Sequence, residues 1–156
     1  MAKAFKIRHI APEDQVSHVL NKIVLVRILE IRKYRAVVLR NPSPDAVHDF
    51  RVAVRRLFSL LKVFHRYIPA DSYDEIRRVL KELLDLFGHV REIDVFQVML
   101  AGSSLARKYR RQSFVRGIMD DKRSARNEFA VRSLEYLRKL DDTRCWRRLE
   151  SELFTR

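Results

Sequence analysis

The chain has 156 residues, enough to close one hydrophobic core without a disulfide or a structural metal. With 47% hydrophobic residues but only 3 Gly and 4 Pro, it is too apolar for a disordered chain and too poor in turn formers for a β-sandwich. Lys and Arg number 33 against 20 Asp and Glu, a formal charge of +13, and such a surface repels itself unless something anionic lies across it. The single cysteine, Cys145, excludes an internal disulfide and a Cys-rich zinc site and suits a reducing compartment.

Taken in chain order, residues 1–12 form a basic segment without an apolar signal core. Val16, Val19, Leu20, Ile23 and Val26 then follow helical spacing, and Asn41-Pro42-Ser43-Pro44 stops the helix, so a first helix is predicted over 13–40. Leu25, Ile28 and Leu29 lie off that stripe, so this helix is expected to bury two sides. Its most apolar run, Ile23 to Leu29, is broken by Arg27 and is far short of the roughly 20 residues of a membrane span. Pro44-Asp45 opens a second helix that runs to about Tyr67, before Pro69.

Asp71 or Ser72 is expected to cap a third helix, with Ile76, Val79, Leu80, Leu83, Leu84 and Phe87 as its buried stripe and Gly88 as its stop. A short fourth helix follows, up to Ala101-Gly102-Ser103-Ser104. A long fifth helix takes most of 105–140, and Asp141-Asp142-Thr143 introduces a last short helix over about 144–154. The pattern predicts an all-α fold: one domain over 1–156, its core at about 15–154, built as an antiparallel bundle of about four long helices plus short ones.

The second helix carries the chemistry. At about 100° per residue, His48, Arg51, Arg55, Ser59, Lys62 and Arg66 share a band roughly 80° wide that holds no acid. Phe50, Ala53, Val54, Leu57, Leu60, Leu61 and Phe64 occupy the opposite side. Ordinary solvated faces mix signs so that acids and bases pair one turn apart, and this one does not. A row of guanidinium and ammonium groups one turn apart, ~5 to 6 Å, matches a linear polyanion with closely spaced phosphates. His48, near the helix start, adds a donor whose charge follows pH.

His48-Asp49-Phe50-Arg51-Val52, Arg55-Arg56-Leu57, Leu61 and Phe64 resemble the signature of the CHAD family, the conserved histidine α-helical domain. Gly88, Arg91, Asp94 and Val95 resemble its second motif, with Phe87 and Glu92 as mild departures. Leu140-Asp141-Asp142-Thr143-Arg144 looks like a later turn of the family, with Asp142 in place of the more usual Ser.

The resemblance covers about 15–154. It implies an all-helical fold that binds inorganic polyphosphate, often with recruitment to polyphosphate granules, and that performs no catalysis. Carried over by position, the binding residues are His48, Arg51, Arg55, Arg56, Lys62 and Arg91, with Arg123, Arg126 and Arg144 aligning more loosely; Arg66 joins them from the helical band. Arg56 and Asp94 are also read as an ion pair that orients the groove.

Typical members resemble two such bundles in tandem with the basic channel between them, whereas this chain has one. A half channel would leave phosphate contacts screened by solvent, so a symmetric homodimer is expected, the alternative being that a partner or a missing second half supplies the rest.

Other classes stay open on composition. Nucleic acid would answer the same charge, but most aromatic residues fall at buried helix positions, leaving Tyr109 and Trp146 as the candidates for stacking. An adaptor that binds protein is a further reading. With Gly88, Gly102 and Gly117 as the only glycines, no phosphate loop can be built, and the histidines show no metal spacing. No catalytic residue, metal or cofactor is therefore expected. The expected location is cytoplasmic, on polyphosphate granules where these form, without membrane partners.

Overall fold

A computed structural model of the chain describes residues 3–109 and 112–140. Among the described residues all regular structure is helical: α1 (Val16–Arg40), α2 (Pro44–Val63), a 3₁₀ turn (His65–Tyr67), α3 (Ala70–Gly102), α4 (Ser104–Tyr109) and α5 (Ser113–Lys139). The expected short helix over 144–154 lies outside the described residues. No helix among them is long and apolar enough to cross a membrane.

The long helices pack in chain order, α1 on α2, α2 on α3, and α3 on α5. Short connections make each pair antiparallel, and the contacts agree. Phe50 of α2 meets Phe87 of α3 edge-on at 4.9 Å, and Asp94 of α3 meets Arg126 of α5. A further tie closes the row, Arg35 of α1 donating to the Leu137 carbonyl of α5 at 3.4 Å. The core runs through Val24, Ile28, Phe50, Leu57, Leu80 and Leu83, all fully buried.

Local signals explain the start of α2. Ser43 accepts a hydrogen bond from the Ala46 amide at 3.2 Å, and Pro44 follows where its missing N–H costs nothing.

The sequence expectations need five corrections here. The α1 core stripe is Leu20, Val24, Ile28, Ile31 and Val38, rotated from the expected one; Val16 is exposed, and Val19, Ile23 and Val26 are half-buried. This stripe keeps a spacing of three, four and seven residues along the whole of α1, so it stays on the side that packs against α2.

The second helix ends at Val63 instead of Tyr67. Ile68 precedes a proline and must be extended, yet its side chain is buried, so the chain tightens into a 3₁₀ turn to reach that position.

Gly88 does not stop α3, which continues to Gly102 and merges the expected third and fourth helices. The buried stripe Leu83, Phe87, Val90, Asp94 stays in phase through the glycine, and this packing outweighs a helix penalty of about 1 kcal/mol. Asp71 and Ser72 accordingly lie inside the first turn, not at its cap.

The expected fifth helix is two helices, α4 and α5. The break folds Tyr109, Val115 and Ile118 over Phe96 and Leu100 of α3, around a cavity of about 350 Å³. One straight helix from residue 105 would carry these side chains away from α3.

Candidate anion-binding face

On α2 the cationic band fans out toward both neighbouring helices. Arg51, at one edge, lies across α3: its Nη2 is 3.6 Å from the position a Cβ on Gly88 would occupy. Gly88 is buried, so the absent side chain gives the guanidinium a flat place to rest. Burial, with the neighbouring Arg55, pushes the Arg51 guanidinium below its ordinary pKa; Arg91 acts in the same direction. Glu92 and Asp85 of α3 oppose that shift. Arg51 Nε is buried without a hydrogen-bond partner among the described residues.

Arg51, Arg55 and Arg91 are thus brought together from two helices, and the repulsion among them is only partly offset by Asp85 and Glu92. The band free of acid on α2 acquires acids once α3 packs beside it. Both carboxylates are exposed, so water screens their hold on the cluster.

Arg56, outside the band and beyond its Ser59 edge, turns toward α1. Its Nη1 donates to Glu30, and Arg27 Nη1 donates to the other carboxylate oxygen of the same residue. Glu30 is wholly buried. The expected pair between Arg56 and Asp94 does not form, because the two lie on opposite sides of α2. Asp94 instead accepts from Arg126 Nε at 2.6 Å, and Arg126 Nη2 also donates to the Pro42 carbonyl at 2.7 Å. Arg126 therefore clamps α5 to α3 and to the loop between α1 and α2.

Of the other expected residues, His48 is half-buried one turn before Arg51, and Lys62 is exposed in the last turn of α2. Arg66 is exposed but sits on the 3₁₀ turn, off the helical band on which it was placed. Arg123 is exposed on α5, one helix removed from α2. Arg144 lies outside the described residues, as does Trp146. Tyr109, the other stacking candidate, is half-buried against α3 and α5.

Sequence reasoning missed Glu30 and its ties to Arg27 and Arg56, whereas Asp85, Glu92 and Asp94 were read as partners for arginine and do act on Arg51 or Arg126. Glu30 had a signal: it lies between Ile28 and Ile31 on the buried stripe, with Arg27 one turn before it. A carboxylate there needs cationic partners.

On the α1 side of the band, Arg27, Arg55, Arg56 and Ser59 line a groove of about 540 Å³ over Ile23 and Leu60. Among the described residues no group of three or more His, Cys, Asp or Glu could hold a metal ion.

The fold and this face define an all-helical bundle with a partly unneutralised guanidinium cluster. The chain matches the CHAD domain family over residues 23–154, most of its length, and belongs to that family. No curated protein and no solved structure gives a match.

Proposed function

We propose that this chain binds inorganic polyphosphate on the face where Arg51, Arg55 and Arg91 converge. The carrying observation is Arg51, a half-buried guanidinium beside two like charges, with one nitrogen lacking a partner. A phosphate there would offset the repulsion and offer oxygens to the guanidinium fork. Membership of the CHAD family supports this choice of anion. His48 and Lys62 extend the face along α2, and Arg66, displaced onto the 3₁₀ turn, is left out of it. Binding is electrostatic and involves no chemical step.

Arg56 and Arg126 are assigned structural duties instead, because each already meets a buried carboxylate. A symmetric homodimer would set two such faces across a shared groove and shield the phosphates from solvent. Recruitment to polyphosphate granules in the cytoplasm belongs to the same proposal, as a consequence of the ligand.

The test is a competition titration near physiological salt, with long-chain polyphosphate displacing labelled single-stranded RNA, run beside light scattering. Displacement at about tenfold lower phosphate concentration than unlabelled RNA requires supports selectivity for a bare phosphate chain. Equal displacement would make the chain a general polyanion binder and favour nucleic acid. A monomer mass with polyphosphate bound would remove the dimer.

A further inference from the structure

The CHAD match begins at residue 23, yet the structure describes a segment before it that lies on the bundle. Residues 3–9 form neither helix nor strand, and they are tied to α1 through their backbone. Tyr34 Oη donates to the Lys3 carbonyl at 3.4 Å, Arg27 Nη2 to that of Phe5 at 3.2 Å, and Lys22 Nζ to that of His9 at 2.7 Å. Lys33 Nζ lies 5.3 Å from the centre of the Phe5 ring. His9 has a φ of 58°, a left-handed conformation that histidine tolerates better than most residues.

Exposure alternates along this strap. Phe5 and Ile7 are half-buried, whereas Lys6 and Arg8 are exposed, as are Lys3 and His9. Ala4 and Ile7 line one wall of the 540 Å³ groove, and Arg55 and Ser59 of the cationic band line another. Anchoring α1 would require only the apolar side chains and the carbonyls. The outward positions are nevertheless basic, and the first acid in the chain is Glu13. These charges stand on the strap whose Ala4 and Ile7 wall the groove opposite Arg55, with no acid among residues 1–12, so an anion over the groove would meet basic chain on both sides.

We infer that the strap is a second cationic wall of the polyphosphate face, with Lys6 and Arg8 contacting phosphates beyond those held by Arg51, Arg55 and Arg91. This rests on the polyphosphate reading of α2. It carries the bound polymer off α2 and across the groove toward α1, so the chain would engage a longer stretch of phosphate than the family-matched region alone.

The experiment measures the affinity of the full chain for long-chain sodium polyphosphate at several salt concentrations. It compares the unmodified protein, the double variant Lys6→Gln/Arg8→Gln, and a charge-matched control, Lys108→Gln/Arg116→Gln, which removes two exposed cations from α4 and α5. Thermal melts of all three accompany it.

Loss of two phosphate contacts should make the plot of log affinity against log salt shallower by about 1.4, by analogy with single-stranded nucleic acid. That change should appear in the strap variant alone, with its melting temperature unmoved. If the unmodified protein binds and the strap variant keeps the slope of the control, the strap is only a structural tie and the inference is overturned. A lower slope accompanied by a lowered melting temperature overturns it too, because the groove itself would then have been disturbed. If the unmodified protein does not bind polyphosphate at all, the reading of α2 fails first and takes the strap with it.

Discussion

The two edges of α2 use the same residue type for opposite ends. At the α1 edge, Arg56 and Arg27 close on the buried carboxylate of Glu30, and Arg27 also donates to the Phe5 carbonyl. At the α3 edge, Arg51 lies over a glycine beside Arg55 and Arg91, with only exposed acids nearby. An arginine that meets a buried acid holds helices together, and one left among cations is available to an anion. Burial of the acid decides which, because a desolvated carboxylate holds its cation far more strongly than a screened one.

The contrast is broken most severely by Glu30→Ala, which takes one buried carboxylate away from both Arg27 and Arg56 at the α1 edge. The expected loss is about 3–5 kcal/mol of stability, measured by denaturant unfolding. Asp94→Ala frees Arg126 in the same way. Only one guanidinium loses its carboxylate here, and Arg126 keeps its bond to the Pro42 carbonyl, so a smaller loss of about 1.5–3 kcal/mol is expected.

The α3 edge should respond in the other coin. Arg51→Ala with Arg55→Ala should leave the unfolding midpoint nearly unchanged while the affinity for polyphosphate falls about tenfold or more. Unchanged affinity would remove both residues from the site.

Gly88→Ala sharpens the comparison further. Its added methyl meets Arg51 at an ordinary contact distance, so the helix should gain up to about 1 kcal/mol with binding retained. Gly88→Leu should displace the guanidinium and mimic the loss of Arg51 in a binding titration.

The smallest effect concerns Tyr34 at the α1 edge. Burial, then the charges of Asp49 and Glu30, raise its phenol pKa above the ordinary value of 10.0. The folded state therefore holds this proton more tightly than the unfolded chain. Its contribution is fully present below pH 10.0 and is lost as pH rises through the folded value. Tyr34→Phe should flatten the alkaline limb of a stability-against-pH curve over that window.

How much was legible follows from the reach of each signal. The apolar side of α2 was readable, with Phe50, Ala53, Val54, Leu57 and Leu61 all buried, because period and burial coincide within one helix. Arg51, Arg55 and Arg91 were readable as cations and as matches to a family motif. Their convergence depends on α2 crossing α3 at Gly88. The glycine was misread for the same reason: in sequence it resembles a helix stop, and in the bundle it is a clearance under Arg51. Arg126 shows the limit most clearly, since its partners Asp94 and Pro42 lie on other elements and no spacing along α5 points to either.

The sequence by itself determined an all-helical bundle, its basic character and the cationic band of α2, since composition and helical period are local properties. Membership of the CHAD family was also visible there, through short motifs read in order. Only the tertiary structure decided which arginines are held by buried acids and which lie among other cations. That division is electrostatic, and the strength of each charge pair depends on distances and burial that arise when α1 and α3 close on α2.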